Sequence, residues 1–249
     1  MSDLENILLV GASGRMGTCI QRLAQEQKIS VQKCATYPCI QFSEEMLKNA
    51  SVIIDFSCDS VTQQIAAGLL QEASPPLPLI VGTTGLSRDT MEGIQHYAQH
   101  AACLVASNFS LGIAILRACV RLATEKLPKS FEAELIEIHH RHKRDIPSGT
   151  AQSLWEDIRR ARALGEGRKL AHHPEVSQNL EPMEVGTHSL RMGSIVGEHQ
   201  VIFAGLGENL RFLHQAEDRM IFAQGALFAA RWICGQRSGL YSVEDALGL

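Results

Sequence analysis

The sequence has 249 residues, of which 45% are hydrophobic and 20% are charged, and its formal net charge is −4 at pH 7. This length accommodates one large α/β domain or two lobes, and the weak negative charge excludes a general attraction to nucleic acid or membrane surfaces. The seven cysteines are scattered and form no CxxC pair. They therefore favour reduced thiols in a cytoplasm over a disulfide framework or a zinc site.

The N-terminal stretch MSDLENILLVG has acidic residues before a short apolar run. A secretory signal would need a basic flank and a longer apolar segment, so we expect none. No apolar run approaches the roughly 18 residues that span a bilayer. We therefore expect a cytoplasmic protein with neither a membrane segment nor a nucleic-acid partner.

Short apolar runs alternate with helical periodicity up to about residue 106. The runs are ILLV (7–10), VQKCA (31–35), SVIIDFS (51–57), LIVG (79–82) and CLVAS (103–107). Segments with a helical spacing of apolar residues lie between them, and the first is RMGTCIQRLAQEQ. This alternation, with apolar runs that suit strands covered on both sides, predicts an α/β fold in which a Rossmann-like parallel sheet carries helices on both faces.

After Asn108 the pattern changes to a helix followed by several strands. Apolar spacing predicts a helix from about Gly112 to Glu125, and strands are predicted at FEAELIEIHH (131–140), MEVGTHSLRM (183–192), SIVGEHQVIFAG (194–205) and NLRFLH (209–214). Residues 166–184 are predicted to form a long loop, and a last helix is predicted to begin near Asp218 and to pack on the first lobe. The second part is therefore predicted to be an α+β domain with a mixed sheet.

The first strand runs directly into GASGRMG, where Gly11, Gly14 and Gly17 recur every three residues before a helix. Such a turn lets the backbone approach a pyrophosphate, whose charge the N-terminal N–H groups of the helix receive. A second glycine cluster, GTTG at 82–85, closes another strand at the same edge of the sheet. The pattern predicts dinucleotide binding, whereas a plain glycine-rich turn and an ordinary β-to-α loop are the alternatives.

The acidic side chain that usually binds the adenosine ribose is absent. It should follow the second strand, but the sequence there reads KCATYPC, with Thr36 or Tyr37 at the expected position. An exclusive preference for NAD is therefore not predicted, and the expected cofactor is NADH or NADPH.

The stretch HHRHKRDIPSGTA (139–151) concentrates histidines and cations in a mildly acidic protein. If the preceding residues form a strand, Glu137 and His139 point to one face, whereas Ile138 and His140 point to the other. The two adjacent histidines then have different tasks, one as an acid and the other at the substrate.

A helical spacing of apolar residues begins directly after Ser-Gly-Thr at 148–150. A Ser or Thr there can cap the helix, and a helix start with small residues can bind an anion such as a carboxylate. Lys143, with Arg141 or Arg144, could supply charge for a second acidic group. The stretch is therefore interpreted as a site for a small dianion beside a titratable histidine.

Three other interpretations of this stretch remain open. A run of charges is often a solvated basic loop. A metal site is disfavoured because the sequence has no HExxH motif, and no metal is expected. Nucleic-acid binding would need a wider basic surface and more than the 5% of aromatic residues present.

Six segments together resemble one family. GASGRMG, DFS (55–57), GTTG, SNFSLG (107–112), EIHHRHKRDIPSGTA (137–151) and IVGEH (195–199) are similar to the 4-hydroxy-tetrahydrodipicolinate reductases of the bacterial lysine and diaminopimelate pathway, also called dihydrodipicolinate reductases. The segments span nearly the whole chain in the family's order, and HHRHKxDxPSGTA is the most specific of them.

This resemblance implies a reductase that transfers a hydride from NADH or NADPH to the unsaturated ring dicarboxylate formed from 4-hydroxy-tetrahydrodipicolinate, giving tetrahydrodipicolinate. It implies a dinucleotide-binding (Rossmann) domain at 1–108, a substrate-binding and oligomerisation domain at 109–218, and C-terminal helices at 219–249 that return to the first domain. It also implies a homo-oligomer, commonly a tetramer.

The resemblance implies roles for single residues as well. His139 matches the general acid of the family, and Lys143 matches its catalytic lysine, which also binds substrate. The other matched substrate-binding residues are His140, Ser148, Gly149 and Thr150. The matched cofactor-binding residues are Gly11, Ala12, Ser13, Gly14, Arg15, Met16, Gly82, Thr83, Thr84, Ala106, Ser107, Asn108 and Phe109.

Two rival functions use the same predicted fold. One is another two-domain nicotinamide dehydrogenase, for example one acting through a cysteine, but none of the seven cysteines lies near 139–150 in sequence. The other is a non-catalytic nucleotide-sensing regulator, which would bind the nucleotide without substrate-dependent oxidation of NADH or NADPH.

Overall fold

The computed structural model describes residues 4–34, 42–70, 76–162 and 185–249. The elements up to residue 105 are β1 Asn6–Val10, α1 Arg15–Glu26, β2 Ser30–Cys34, α2 Glu44–Asn49, β3 Val52–Asp55, α3 Asp59–Leu69, β4 Leu79–Val81, α4 Arg88–Tyr97 and β5 Ala102–Val105. The later elements are α5 Leu111–Lys126, β6 Glu132–His139, α6 Gly149–Ala161, β7 Val185–Arg191, β8 Gly197–Gly205, β9 Glu208–Ala216, α7 Met220–Ile233, β10 Gly239–Tyr241 and α8 Val243–Leu247.

The chain divides into two compact units. The first comprises residues 1–111 together with 219–249, and the second comprises residues 112–218. Each unit contains its own sheet. Each also has its own cluster of buried apolar side chains, so the two units have separate cores.

The sheet of the first unit has six parallel strands in the order β10-β5-β4-β3-β1-β2. β1, β3 and β4 are almost completely buried, as expected for strands covered on both faces. The chain winds one way from β1 to β2 and the other way from β3 to β5. Because crossover connections are right-handed, the two directions put helices on opposite faces. α1 packs with α7 and α3 packs with α4, which confirms the predicted parallel sheet with helices on both faces.

The reversal of winding lies between β1 and β3, which are neighbours in the sheet. In open α/β sheets, ligands bind in the crevice outside the carboxyl ends of the strands at such a point. The loops that leave this edge begin at Gly11 after β1, Phe56 after β3 and Gly82 after β4. The fold therefore brings both glycine clusters to one edge of the sheet.

The sheet of the second unit has four strands in the order β7-β6-β8-β9. β6 pairs in parallel with β7 and antiparallel with β8, so the predicted mixed sheet is confirmed. Leu135, Val201 and Phe203 project from one face and pack with apolar residues of α5 and α6, such as Ile113 and Leu154. This helix-covered face also carries the polar residues of the candidate site.

Three short elements, α2, α8 and β10, were not predicted from the sequence. Ser43 caps α2, and a reciprocal pair of hydrogen bonds between Ser242 and Asp245 starts α8. The expected loop at 166–184 lies outside the described residues. Within the part of the chain that is described, no helix has the length and apolar character needed to cross a membrane.

Candidate active site

The glycine turn after β1 is packed too closely for side chains at two of its positions. Gly11 has a φ of +78°, and a Cβ there would lie 2.3 Å from the Phe56 carbonyl oxygen. A Cβ at Gly17 would lie 2.3 Å from the Gly11 carbonyl oxygen. The Gly14 N–H closes the turn by donating to the Gly11 carbonyl at 3.0 Å. These contacts require glycine for a tight turn between β1 and α1.

The N-terminus of α1 is open to solvent. Its N-cap is Gly14, so no side chain caps the helix, and its first turn carries no acidic residue. Ser13, Gly14 and Arg15 are exposed. An uncapped helix start presents backbone N–H groups and a partial positive charge. The residues of this turn therefore fit the pyrophosphate of a dinucleotide.

A buried carboxylate, Asp55, connects two loops at the same sheet edge. It accepts hydrogen bonds from the hydroxyls of Ser57 and Thr62, both at 2.5 Å, and of Thr83 at 3.1 Å. The Ser57 N–H donates to Asp55 and to the Thr83 hydroxyl, each at 3.0 Å. Burial raises the pKa of Asp55, and these hydrogen bonds oppose that shift. Asp55 thus fixes the loop after β3 to the loop after β4.

The loops after β4 and β5 place the predicted cofactor residues at different depths. Thr84 and Ser107 are exposed, whereas Thr83 and Phe109 are buried. The Phe109 ring lies 5.4 Å from the Phe56 ring, between centroids. Thr83 and Phe109 can therefore shape the loops, whereas Thr84 and Ser107 have side chains that a cofactor could contact. Of the remaining predicted cofactor residues, the half-buried ones are Gly11, Ala12, Met16, Gly82, Ala106 and Asn108.

The second unit places Glu137 and His139 on the buried face of β6, as the strand alternation predicts. The Glu137 Oε2 atom contacts His139 Nδ1. Its other oxygen accepts from Arg191 Nη2 at 2.7 Å and from the Ser148 N–H at 3.4 Å. Glu137 is completely buried, so its charge is balanced by these donors rather than by water.

The protonation of the Glu137–His139 pair follows from its neighbours. Burial by itself would raise the pKa of Glu137, but hydrogen bonds from His139, Arg191 and Ser189 outweigh it and lower the pKa to about 2. The carboxylate is therefore ionised and can only accept hydrogen bonds. It follows that the contact at His139 Nδ1 requires a proton on Nδ1, and Nε2 is the nitrogen that Glu137 does not hold.

His199 on β8 completes the buried group. It lies opposite Glu137 in the β6–β8 register, and its ring centroid is 5.1 Å from that of His139. His199 Nε2 lies 3.0 Å from the Ser148 hydroxyl. Burial is the main cause that lowers the pKa of His199 to about 3, and the charge of His139 adds to it. His199 is therefore neutral near pH 7 and contributes a hydrogen bond rather than a charge.

Gly197, at the start of β8, leaves room beside the His139 ring. A Cβ at this position would lie 3.0 Å from His139 Nε2, closer than side chains tolerate without a shift. The IVGEH motif therefore supplies both the glycine next to Nε2 and the histidine that packs against the ring.

The start of α6 lies beside this group. The Ser148 hydroxyl caps the helix by accepting from the Ala151 N–H at 3.2 Å. Gly149 is exposed, and no atom lies within 4 Å of the place where a Cβ would be. Thr150 is half-buried. This open helix start has the geometry that favours a bound carboxylate.

The basic run divides into solvated and paired residues. Arg141, His142 and Arg144 are exposed, as expected for residues of a solvated basic loop. Lys143 is only partly exposed, and its ammonium lies 2.7 Å from the Asp145 carboxylate. His140 is half-buried beyond the end of β6. The structure thus joins His139 and Ser148 directly through Glu137, whereas Lys143 lies in the turn between them.

Glu137, His139 and His199 also have donor atoms within 4.8 Å of one another, a distance that would suit a metal ion. Two of these atoms, Glu137 Oε2 and His139 Nδ1, already contact each other. His199 is hydrogen-bonded to Ser148 through Nε2. We therefore interpret the group as an acid–base arrangement held by hydrogen bonds.

Sequence reasoning did not assign a role to Asp55, Glu137 or His199, although each lies in a segment that carried the family resemblance. An acidic residue two positions before a histidine on the buried face of a strand is a usable signal for the Glu137–His139 pair. The His199 contact depends on strand register and has no comparable local signal.

Comparison with known proteins gives a consistent result. The N-terminal and C-terminal regions of the dihydrodipicolinate reductase family match residues 5–109 and 112–247. The 4-hydroxy-tetrahydrodipicolinate reductase of Zymomonas mobilis is 40% identical, over 97% of this chain and 96% of the relative. That of Wolinella succinogenes is 37% identical, over 99% of this chain and 100% of the relative.

Solved structures show the same fold. Dipicolinate-bound dihydrodipicolinate reductase from Paenisporosarcina sp. TG-14 is similar with a TM-score of 0.75 at 21% identity, over 98% of this chain and 99% of that chain. C. glutamicum DAP dehydrogenase in complex with DAP is similar with a TM-score of 0.54 at 11% identity, over 98% and 94%. Because both family regions match and curated relatives are 37% and 40% identical over nearly their full length, this chain belongs to the dihydrodipicolinate reductase family.

Proposed function

We propose that this chain is an NAD(P)H-dependent 4-hydroxy-tetrahydrodipicolinate reductase of lysine and diaminopimelate biosynthesis. The observation that carries the proposal is the buried Glu137–His139 pair beside the open start of α6, in a chain of this family. His139 offers a proton donor, and the helix start offers a carboxylate site. An unsaturated ring dicarboxylate needs both groups when it is reduced.

In this proposal the first unit is the dinucleotide-binding domain. The turn at 11–16 holds the pyrophosphate through backbone N–H groups, and the loops at 82–84 and 106–109 contribute the remaining contacts. When bound, the reduced nicotinamide dinucleotide supplies the hydride. Asp55 keeps the loop after β3 and the loop after β4 in place. Its buried hydrogen bonds give both loops a fixed geometry before the cofactor arrives.

The second unit is the substrate-binding domain in this proposal. His139 donates the proton from Nε2 as the general acid, while Nδ1 stays on the Glu137 carboxylate. Lys143 adds positive charge at the substrate, and His140, Ser148, Gly149 and Thr150 bind its carboxylates. The two carboxylates of the substrate match the helix start of α6 and the cationic turn that precedes it.

We also propose that the protein is a cytoplasmic homo-oligomer, with a tetramer as the expected form. The face of the second sheet opposite α5 and α6 carries apolar side chains, and two of them, Leu190 and Leu213, are 40% and 54% exposed. An apolar sheet face of this kind is typical of a protein interface. Light scattering on Leu213→Glu should show smaller particles than the wild type, and a monomeric wild type would contradict the proposal.

The function is tested by adding the purified chain to pyruvate and aspartate semialdehyde in the presence of the synthase that condenses them. The proposal predicts oxidation of NADH or NADPH only when all components are present. Cofactor binding without substrate-dependent oxidation would instead support a nucleotide-sensing regulator.

A further inference from the structure

We propose that Glu137 is a positioning residue that fixes the tautomer of His139 and holds it in register with the start of α6 and with the turn that carries Lys143. The inference rests on the proposed function, because it assigns a task to a residue that touches the general acid rather than the substrate.

Three groups from different parts of the second unit converge on the Glu137 carboxylate. His139 Nδ1 comes from the same strand, the Ser148 N–H from the start of α6, and Arg191 from the end of β7. A carboxylate that is completely buried is costly unless each of its lone pairs is used. The position of Glu137 therefore depends on these partners, and their positions depend on Glu137.

Arg191 extends the network to Lys143. Its Nη2 atom donates both to Glu137 and to the carbonyl oxygen of Asp145, each at 2.7 Å. The Asp145 carboxylate lies 2.7 Å from the Lys143 ammonium. A continuous chain of contacts thus runs from His139 through Glu137, Arg191 and Asp145 to Lys143. It links the two residues that are proposed to take part in proton transfer.

Pairing with arginine does not by itself distinguish Glu137 from other carboxylates of the second unit. Glu156 on α6 offers a matched comparison. Two arginines, Arg159 and Arg160, contact Glu156, and their hydrogen bonds lower its pKa to about 2, the value to which the pKa of Glu137 is lowered. Glu137 differs in that one of its oxygens contacts a histidine. The histidine contact, rather than the arginine pairing, is what suits Glu137 to position an acid.

Glu137→Gln separates positioning from simple packing because glutamine has nearly the same shape. Arg191 can only donate, so it will take the amide oxygen, which leaves the NH2 group facing His139 Nδ1. Nδ1 must then accept, and the proton of neutral His139 moves to Nε2. We expect kcat and kcat/KM to fall together by about 100-fold, because donation from Nε2 would then leave a ring with no proton on either nitrogen, whereas in the wild type Nδ1 keeps its proton on Glu137. The KM for substrate should change by less than about threefold.

The control is Glu156→Gln, which removes an arginine-paired carboxylate from the same unit without touching a histidine. It should leave kcat within about twofold of the wild-type value. Unchanged kcat in Glu137→Gln, with an active wild type, would overturn the positioning role. Absence of turnover in the wild type would instead overturn the proposed function, and the inference with it.

A spectroscopic measurement makes the test independent of whether the variant folds. Nitrogen-15 NMR of the wild-type chain, with His139 assigned through His139→Gln, should show neutral His139 protonated at Nδ1. In Glu137→Gln the proton should appear at Nε2. A neutral wild-type His139 that carries its proton at Nε2 rather than Nδ1 would overturn the inference even if Glu137→Gln could not be purified.

Discussion

Since we propose that His139 and Lys143 carry the proton-transfer step, replacing either one should slow turnover without weakening cofactor binding. We expect His139→Gln and Lys143→Ala to lower kcat by about 100- to 10,000-fold, the usual contribution of a positioned acid. The dissociation constant for NADH or NADPH, measured by fluorescence titration, should change by less than about twofold, because neither residue belongs to the first unit.

His142→Gln serves as the control for these variants, since His142 is exposed in the same turn and has no assigned task. It should have nearly wild-type kinetics. Normal turnover in His139→Gln would remove this histidine from the mechanism.

His199 should make the protein sensitive to mild acid. Its pKa is lowered from 6.5 to about 3, mainly by burial, so below about pH 6.5 the unfolded chain binds a proton that the folded chain does not. Stability is therefore lost as the pH falls from about 6.5 toward 3. Between about pH 7 and pH 5 the loss from this group is about 2 kcal/mol, taking 1.36 kcal/mol per pH unit.

Urea unfolding at these two pH values checks this prediction. In His199→Gln the pH-dependent loss of unfolding free energy should be smaller by about 2 kcal/mol, whatever its stability near pH 7. Glu137 does not interfere, since its contribution is lost only as the pH falls from about 4.5 toward about 2. An equal loss in the wild type and the variant would show that His199 is not a buried neutral group.

At the residue scale, strand alternation was enough to predict that Glu137 and His139 share a face. It was not enough to predict their partners. Arg191 lies 54 residues after Glu137, and the contact with His199 requires the register between β6 and β8. Such contacts depend on which strands become neighbours, and local sequence patterns do not contain that information.

Among the elements, the start of α6 is the one that should govern substrate affinity. Thr150→Val keeps the branched shape and removes the hydroxyl. If Thr150 holds a substrate carboxylate in the ground state and the transition state alike, the KM for substrate rises more than kcat falls. Steady-state kinetics at saturating cofactor measure both constants.

Ser153→Ala is the matched control, because Ser153 lies on the same helix and its hydroxyl donates only to the Gly149 carbonyl at 3.1 Å. Its KM should stay near the wild-type value. A variant at Thr150 that loses kcat while keeping KM would contradict the role assigned to the helix start.

The longer elements were predictable because each has enough apolar residues to show its period. α1 and α5, with 12 and 16 residues, follow the predicted segments closely. α2 and α8 have six and five residues, and β10 has three. Segments this short hold fewer than two full periods, and β10 pairs with β5, which lies far from it in the sequence.

For the whole molecule, the choice of nucleotide depends on charges around the adenosine ribose. Residues 36–39 carry no charge in the sequence, although they lie outside the described structure. Arg15 and Lys33 are exposed at the start of α1 and on β2. We expect kcat/KM for NADH and NADPH to differ by no more than about tenfold, which corresponds to roughly 1.4 kcal/mol.

A modest preference for NADPH should shrink as salt rises, because exposed charges are screened over about 10 Å at 0.1 M. Kinetics with both nucleotides at two ionic strengths measure this. A preference above about a hundredfold in either direction would mean that another residue recognises the 2′ position.

The resemblance to the dihydrodipicolinate reductases, visible in six sequence segments, is confirmed at the scale of the whole chain. The order of these segments reflects the order of the strands and helices that carry them. The segments alone could not show which contacts their residues make. Asp55 of DFS accepts a hydrogen bond from Thr83 of another loop, and His199 of IVGEH packs against His139 of another strand.

The most direct test of the central claim follows the hydride itself. The chain should be supplied with NADH or NADPH carrying deuterium at the transferable position of the nicotinamide, with substrate formed from pyruvate and aspartate semialdehyde. Mass spectrometry of the tetrahydrodipicolinate formed should then find one deuterium per molecule for one of the two labelled faces. Product that lacks deuterium with both labels, or no product above the level made without the chain, would contradict the account.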